Sequence, residues 1–196
     1  MIGSITKEMR GAILIRHGES EANVKGIVSE DIDNYNLTEK GREQAERTGR
    51  MLRGYHIDRV YSSPILRARE TAEIISDILG VQMEIDEDVR ESGLGNMNGR
   101  PFQSLPYGGR EEFGMEPWPS LVKRMVKALE KHDGKNIYVS HALPIRATVA
   151  HYLELSELDS YGIEIRYASI SAIDLSQNRV LSIGSLKPGE AVKKFF

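Results

Sequence analysis

The sequence predicts an α/β protein of three layers, in which helices cover both faces of a mostly parallel central sheet. Short apolar runs typical of buried strands alternate along the chain with helical patterns. Such alternation is typical of parallel strands joined by crossover helices. The last two predicted strands form a close pair, which adds an antiparallel edge.

The first half of the chain predicts three strands and two helices. The strands cover residues 12–15, 58–61 and 83–85, and the helices cover 38–52 and 64–80. Thr38 is a typical N-cap and Gly54 a typical stop signal, while Pro64 is favoured in a first helical turn. These elements supply two strand–helix units of the predicted sheet.

The second half repeats the pattern. Ser120 is the predicted cap of a helix whose apolar face carries Leu121, Met125, Val126 and Leu129. A strand over 137–139, a helix over 144–153 and a strand pair over 170–175 and 180–183 follow. Residues 187–196 are expected to be a frayed tail, whose exposed terminal Phe pair suggests a homodimer contact.

Residues 86–119 lose this regularity, because Gly and Pro recur throughout the segment. A further strand–helix unit follows it and completes the same sheet. We therefore expect one domain over 1–196, with 86–119 as a substrate-covering excursion. Trp118 is expected to pack this segment down, while Arg124 and Lys123 are expected to face solvent.

Composition excludes several classes of protein. The chain has 196 residues, 26 basic against 29 acidic residues, and no cysteine. Disulfide scaffolds, Cys-ligated metal sites and thiol catalysis are therefore excluded. The slightly acidic balance argues against a nucleic-acid partner, and no apolar run is long enough for a membrane partner or span. The N-terminal apolar run is too short for a signal peptide, so we expect a cytoplasmic protein.

Three predicted strands end in residues that carry chemistry: Arg16-His17-Gly18, Ser62-Ser63-Pro64 and Ser140-His141. Ligands bind beyond the carboxyl ends of strands in such sheets, so both histidines are expected to face one crevice. Arg16 and Arg67 lie near the same edge. Histidine and arginine side chains with backbone N–H groups suit an anionic phosphoryl group.

A histidine that attacks phosphorus must be neutral. Neighbouring cations such as Arg16 and Arg67 should lower the pKa of His17 and keep a lone pair available. The leaving alkoxide needs a proton, which a carboxyl group of raised pKa can donate and later recover from water. Glu91 in the Gly-rich excursion is the best candidate for this acid.

Ordered blocks across roughly residues 12–175 resemble the histidine phosphatase superfamily, also called the phosphoglycerate mutase-like family. The blocks are Arg16-His17-Gly18 with Asn23, residues 36–41 with Gln44-Ala45, residues 62–72, Glu91 with Gly95 and Gly99, and Val139-Ser140-His141. The resemblance implies a phosphoglycerate mutase-like fold and a ping-pong transfer in which His17 becomes phosphorylated.

The same resemblance implies a role for several side chains. Arg16, Arg67 and His141 would hold the transferring group, while Glu91 would act as acid and then base. Asn23 and Ser29 are similar to family residues that contact the phosphoryl group. At position 142 the family commonly has Gly, so the backbone contact at Ala142 departs from the pattern. No metal or organic cofactor is needed for hydrolysis.

The segment after Glu91 favours the phosphatase branch. Glycolytic mutases of this family have a Tyr where this chain has Leu94. They have an Asn-Lys pair that Arg100-Pro101-Phe102 replaces here, and their closing insertion is longer. We expect a phosphohydrolase that acts on a small phosphorylated metabolite. Arg100, Arg110 and Tyr107 are candidate contacts for a second anionic or sugar group.

Three alternatives stay open. One is a phosphoglycerate mutase that requires 2,3-bisphosphoglycerate as cofactor, and another is a phospho-ligand binding module without turnover. The third is a metal site formed by two histidines and a carboxylate, which the neighbouring arginines disfavour. His56, His132 and His151 have no companion motif and are expected to be surface or packing residues.

Overall fold

The computed structural model describes residues 9–196. The expectation that the N-terminal segment is not a signal peptide concerns in part residues 1–8, which lie outside the described residues. No helix within 9–196 combines the length and the apolar character that crossing a membrane requires.

Six strands form one mixed sheet in the order β3-β2-β4-β1-β5-β6. The strands are β1 Gly11–Arg16, β2 Arg59–Ser62, β3 Met83–Ile85, β4 Lys135–Ser140, β5 Ile170–Asp174 and β6 Arg179–Ser185. The first four are parallel to one another, and β5 and β6 are antiparallel to their neighbours. The predicted mostly parallel sheet with an antiparallel edge is confirmed.

Seven helices surround this sheet within the described residues. They are α1 Glu21–Val24, α2 Glu39–Met51, α3 Leu66–Leu79, α4 Trp118–Glu130, α5 Ala142–Tyr152, α6 Glu157–Ser160 and α7 Glu190–Phe195. Successive side chains of a strand point to opposite faces. Accordingly, Leu14 packs with apolar residues of α4 and α5, while Ile13 and Ile15 pack with those of α3 and α7. The three-layer architecture is therefore confirmed.

The helix boundaries follow local chemistry. The Thr38 hydroxyl accepts a hydrogen bond from the Gly41 N–H at 3.0 Å, which confirms it as the N-cap of α2. Gly80 ends α3 in the left-handed region at a φ of 68°. Ser120 is not the cap of α4, which begins at Trp118 after Pro117, because Pro119 fits the first turn, where no intrahelical N–H is needed.

The register of the central strands brings the two histidines together. In the parallel pair of β1 and β4, Arg16 lies opposite Ser140. The next residues, His17 and His141, therefore leave the sheet side by side, and the His17 N–H donates to the Ser140 carbonyl at 3.0 Å. The predicted meeting of the two strand ends is a direct consequence of this register.

Residues 86–117 contain neither a named strand nor an α-helix and form four short 3-10 turns, whereas residues 118 and 119, the end of the predicted excursion, already belong to α4. The segment has its own small apolar cluster, in which Leu94, Met97 and Met115 are buried. Gly95 has a φ of 52°, and a Cβ there would overlap the backbone of Gly114. Residues 95 and 114 of the segment therefore lie close together, and the small apolar cluster holds the excursion together. Its role as a cover over the substrate stays a prediction.

The C-terminal tail is not frayed, which corrects the expectation for 187–196. It forms α7, and Val192 and Phe196 are buried in the core. The Phe196 carbonyl also accepts a hydrogen bond from the His56 N–H at 2.6 Å. Phe196 therefore packs within its own chain, and Phe195 is half-buried, so the terminal Phe pair is not the exposed pair that the sequence suggested. The homodimer itself stays a prediction.

The substitution Phe196→Ala should lower the free energy of unfolding by about 3 kcal/mol, because it removes a buried aromatic ring from the core. Urea denaturation followed by circular dichroism measures this loss. Phe102→Ala, at a position 64% exposed, is the matched control and should change stability by less than about 0.5 kcal/mol. Equal effects of the two substitutions would contradict the docked helix.

Candidate active site

His17 leaves β1 buried, with one ring nitrogen already committed. Its Nδ1 lies 2.7 Å from the Gly18 carbonyl oxygen. Because a carbonyl only accepts hydrogen bonds, Nδ1 carries the proton and Nε2 keeps a lone pair. Nε2 in turn accepts a hydrogen bond from Nε of Arg67 at 3.1 Å. The tautomer is therefore fixed with the nucleophilic nitrogen facing the cluster of arginines.

The loop that carries His17 is fixed by close backbone contacts. A Cβ at Gly41 would overlap the Glu19 carbonyl, and a Cβ at Gly18 would overlap the backbone of Gly41. The Gly18 N–H also donates to the Thr71 hydroxyl at 3.0 Å. The first turn of α2 and the second turn of α3 thus fix the position of His17.

Arg67 lies at the centre of the cluster and is 4% exposed. Besides His17, its guanidinium donates through Nη2 to the Ser29 carbonyl at 2.7 Å and lies 3.3 Å from Nδ1 of His141. The same Nη2 is 3.9 Å from a carboxylate oxygen of Glu91. One buried cation therefore lies within 4 Å of both histidines, the Ser29 carbonyl and Glu91.

His141 follows β4 and is fully buried. Since Arg67 donates towards Nδ1, that nitrogen holds the lone pair, and Nε2 donates its proton to the Ser63 hydroxyl at 2.8 Å. Nδ1 also lies 3.6 Å from Glu91. The two imidazole rings meet edge to face, with their centroids 5.1 Å apart. The sequence prediction that His17 and His141 share one crevice is correct.

Arg16 is the last residue of β1, directly before His17, and its side chain is held by two contacts. Its Nη1 donates to the Ile165 carbonyl at 2.8 Å, and its guanidinium carbon lies 4.0 Å from the ring centroid of Tyr167. A cation over an aromatic face is attracted by the ring quadrupole. Sequence reasoning missed Tyr167, because no motif marks a tyrosine ahead of β5.

The electrostatics favour neutral histidines and a protonated acid. Burial lowers the pKa of His17 well below its usual value of 6.5, and the positive charges of Arg67 and Arg16 lower it further. Burial and the charge of Arg67 act on the pKa of His141 in the same direction. Burial raises the pKa of the Glu91 carboxyl, and Arg67 only partly opposes this rise.

A buried ion pair outside the crevice fixes the backbone of Glu91. Arg124 donates through Nη2 to the Glu91 carbonyl at 3.0 Å and through Nη1 to the carbonyls of Asp88 and Arg90. The carboxylate of Glu116 lies 2.7 Å from Nε of Arg124 and also accepts a hydrogen bond from the N–H of Gly93. The expectation that Arg124 faces solvent is wrong, because four carbonyl and carboxylate groups compensate its buried charge.

Three further residues of the predicted site have contacts within the chain. Oδ1 of Asn23 accepts two hydrogen bonds from Ser20 and so caps α1. Ser29 is buried. Its carbonyl accepts a hydrogen bond from Arg67, and its hydroxyl oxygen accepts one from the Asp31 N–H at 3.1 Å. Ala142 begins α5, where first-turn N–H groups have no intrahelical partner. Their contacts with a phosphoryl group stay predictions.

The residues predicted to contact a second anionic or sugar group of the substrate differ in their exposure. Arg100 and Tyr107 are exposed on the excursion, and the Tyr107 ring packs edge to face on Tyr161 at 5.3 Å. Arg110 is 3% exposed; its guanidinium donates to the Ser92 hydroxyl and to the Glu116 carbonyl. Arg110 therefore braces the excursion internally, and its contact with a substrate stays a prediction.

The cluster can hold a tetrahedral anion. Two donors, Nη1 of Arg67 and Nε of Arg16, are buried and have no partner among the described residues. An unpaired buried donor is costly, and phosphoryl oxygens would satisfy both donors while balancing the local positive charge. Within residues 9–196 no group of three or more His, Cys, Asp and Glu side chains is arranged to hold a metal ion.

Comparison with known proteins agrees with this geometry. The model of the histidine phosphatase superfamily (branch 1) matches residues 12–183. The chain belongs to this superfamily. The resemblance inferred from the ordered blocks is thereby confirmed, and so is the conclusion that the chain is an enzyme, since phosphatases and phosphoglycerate mutases make up its named relatives.

One relative from this superfamily is the 2,3-bisphosphoglycerate-dependent phosphoglycerate mutase of Thermoplasma acidophilum. The two sequences are 44% identical over an alignment of 196 residues, which covers 95% of this chain and 98% of the relative. A protein from Hydrogenobacter thermophilus that carries a phosphoserine phosphatase name is 39% identical, with 85% and 90% covered. The crystal structure of Entamoeba histolytica phosphoserine phosphatase with phosphoserine has a TM-score of 0.78 and 24% identity, and covers 91% of this chain and 98% of its own.

The low pKa of His17 makes the stability of this protein depend on pH. The unfolded chain takes up a proton on His17 as the pH falls through 6.5, whereas the folded chain stays neutral. Folding is therefore destabilised as the pH falls, by at most about 1.4 kcal/mol per pH unit for this group. Glu91 acts with the opposite sign, because its raised pKa lets the folded state keep a proton that the unfolded state releases.

Urea denaturation of the wild type and of His17→Asn between pH 5 and 7.5 isolates the contribution of His17. The Glu91 contribution is common to both proteins and cancels in the difference. The stability of His17→Asn should fall less steeply towards pH 5. His56→Gln, which changes an exposed histidine, is the control and should keep the wild-type slope. Identical slopes for His17→Asn and wild type would contradict a neutral buried His17.

Proposed function

We propose that His17 takes the phosphoryl group of a small phosphomonoester and forms a covalent phosphohistidine. The observation that carries this proposal is the fixed tautomer of His17, whose Nδ1–H is bound to the Gly18 carbonyl and whose Nε2 lone pair faces Arg67. A neutral imidazole next to fixed cations is both a nucleophile and part of an anion site.

In the first half-reaction the Nε2 lone pair of His17 attacks phosphorus, and the bond between phosphorus and the ester oxygen breaks. Glu91 gives its proton to the leaving alkoxide, which its raised pKa supports. Arg16 and Arg67 bind the equatorial oxygens, His141 lines the same space, and the first N–H groups of α5 face the developing charge.

In the second half-reaction the Glu91 carboxylate removes a proton from an acceptor hydroxyl. The acceptor oxygen attacks phosphorus, the bond to Nε2 breaks, and the lone pair returns to His17. Water as acceptor gives hydrolysis, and a second hydroxyl of a phosphorylated acid gives a mutase. Hydrolysis by this route needs no metal or organic cofactor. The mutase route requires 2,3-bisphosphoglycerate as the phosphoryl donor that primes His17.

The relatives favour phosphoglycerate as substrate and favour the mutase as the second candidate function over a binding module. In the sequence analysis the short excursion is an argument for hydrolysis. However, the match with this chain covers 98% of the Thermoplasma mutase, so that mutase has no long extra insertion either. The residues at 94 and 100–101 still support hydrolysis. A cytoplasmic location and a homodimer both stay predictions.

A phosphomonoester panel that includes 3-phosphoglycerate, with and without 2,3-bisphosphoglycerate, tests the proposal. Rapid acid-free quench should trap an acid-labile, alkali-stable phosphate on His17, and the ratio of 2-phosphoglycerate formed to phosphate released identifies the acceptor. His17→Ala should lose both activities and the label, whereas His56→Ala should keep them. Full turnover in His17→Ala would overturn the mechanism, and phosphate binding without any turnover would support the binding module.

The substitution Glu91→Gln should lower kcat for an alkyl phosphomonoester by about 10²- to 10⁴-fold, since the leaving alkoxide loses its proton donor. With p-nitrophenyl phosphate, whose leaving group needs no proton, labelling of His17 should slow much less. The two rates of labelling, measured by rapid quench, are the readout. Glu43→Gln on the exposed face of α2 is the control. Equal losses with both substrates would rule out Glu91 as the acid.

A further inference from the structure

Arg146 has no role in the reaction described so far, yet it lies beside the site. It is half-buried on α5, one helical turn beyond Ala142. Residues four apart share one face of a helix, so Arg146 follows the N-terminus of α5 on the side of the crevice. Its Nε donates to the Ile163 carbonyl at 3.1 Å.

A single segment holds both Arg16 and Arg146. Ile165 accepts from Arg16 and Ile163 accepts from Arg146, so alternate carbonyls of residues 163–165 fix the two guanidinium groups. Burial is the main cause that lowers the pKa of Arg16, and the positive charge of Arg146 lowers it further. Burial also lowers the pKa of Arg146, and the negative charge of Glu91 acts in the opposite direction. The guanidinium of Arg146 is therefore within electrostatic range of the site.

Arg146 also lacks an anionic partner. Among the described residues, the other buried and half-buried arginines each have a carboxylate within 4 Å, with the exception of Arg16. These arginines are Arg10, Arg59, Arg67, Arg69, Arg110 and Arg124. The exception of Arg16 has an explanation, because the proposed phosphoryl group supplies its anion. Arg146 is the second exception in residues 9–196.

The carboxylate that binds the neighbouring Tyr161 is already occupied by other partners. Glu157 accepts the Tyr161 hydroxyl at 3.0 Å and lies 3.8 Å from Nε of Arg110. The guanidinium carbon of Arg146 lies 5.6 Å from the ring centroid of Tyr161, on which Tyr107 of the excursion packs. Aromatic rings and the excursion thus cover Arg146 on one side and leave its Nη nitrogens without a protein carboxylate among the described residues.

We propose that Arg146 binds a carboxylate of the substrate, so that the site selects phosphorylated carboxylic acids. This inference rests on the proposed transfer to His17. Nε is fixed to the Ile163 carbonyl, so the two Nη nitrogens form a planar pair that matches the two oxygens of a carboxylate. Arg16 then binds the phosphoryl end of the substrate and Arg146 binds the acid end.

Two pairs of substrates that differ only in the carboxylate test this assignment. Glycerol 3-phosphate is 3-phosphoglycerate with a hydroxymethyl group in place of the carboxylate, and phosphoethanolamine is phosphoserine without its carboxylate. The measurement is kcat/KM for labelling His17 with each substrate. In Arg146→Gln, the preference for the carboxylate in the better pair should fall about 10- to 100-fold, mainly through KM.

Two further variants make the test specific. Arg146→Lys keeps the charge but loses the planar pair, and should recover part of the preference. Arg166→Gln removes an exposed arginine that is paired with Glu164 at 3.0 Å, and should keep the wild-type preference. Thermal unfolding of each variant by circular dichroism separates a folding defect from a change in selectivity.

Each outcome decides between supporting and overturning the inference. A fall in preference confined to the Arg146 variants supports it. An unchanged preference, or an equal loss with both members of a pair, overturns it while leaving His17 labelled, so the transfer to His17 still stands. A wild type that labels His17 without preferring the carboxylate also overturns it. Absence of any label with all four substrates overturns the proposed transfer itself, and the inference falls with it.

Discussion

The buried guanidinium of Arg67 is the interaction on which the site depends. A cation removed from water is stable only where neighbouring groups compensate it. The groups that do so come from four separate parts of the chain: the lone pairs of His17 and His141, the Ser29 carbonyl and, at 3.9 Å, the Glu91 carboxyl. The excursion, the loop before α2 and the two central strands therefore converge on one side chain.

The same cation sets the protonation states. Its charge adds to burial in keeping both histidines neutral, because the two effects lower an imidazole pKa together. For Glu91 the two effects oppose each other, and burial is the larger. A nucleophile that lacks a proton on Nε2 and an acid that holds one can thus lie next to each other at the same pH.

Backbone carbonyls fix the remaining arginines around this centre. Residues 163–165 hold Arg16 and Arg146, and the carbonyls of residues 88–91 hold Arg124, whose partner Glu116 fixes the other side of Glu91. A guanidinium bound to a carbonyl keeps its charge while its direction is fixed. The positive charge of the site is therefore oriented by irregular segments, while the parallel sheet supplies the two histidines.

The sequence by itself determined the order of strands and helices, the place of His17 and His141 at two strand ends, and the family, because apolar periodicity, caps and motifs are local in the chain. Only the tertiary structure decided which long charged side chains are buried. Arg124 and Arg110 are internal braces, the tail is helix α7, and Tyr167 and Arg146 border the site. Burial of such groups depends on carbonyls and carboxylates from distant segments, and no local pattern records those partners.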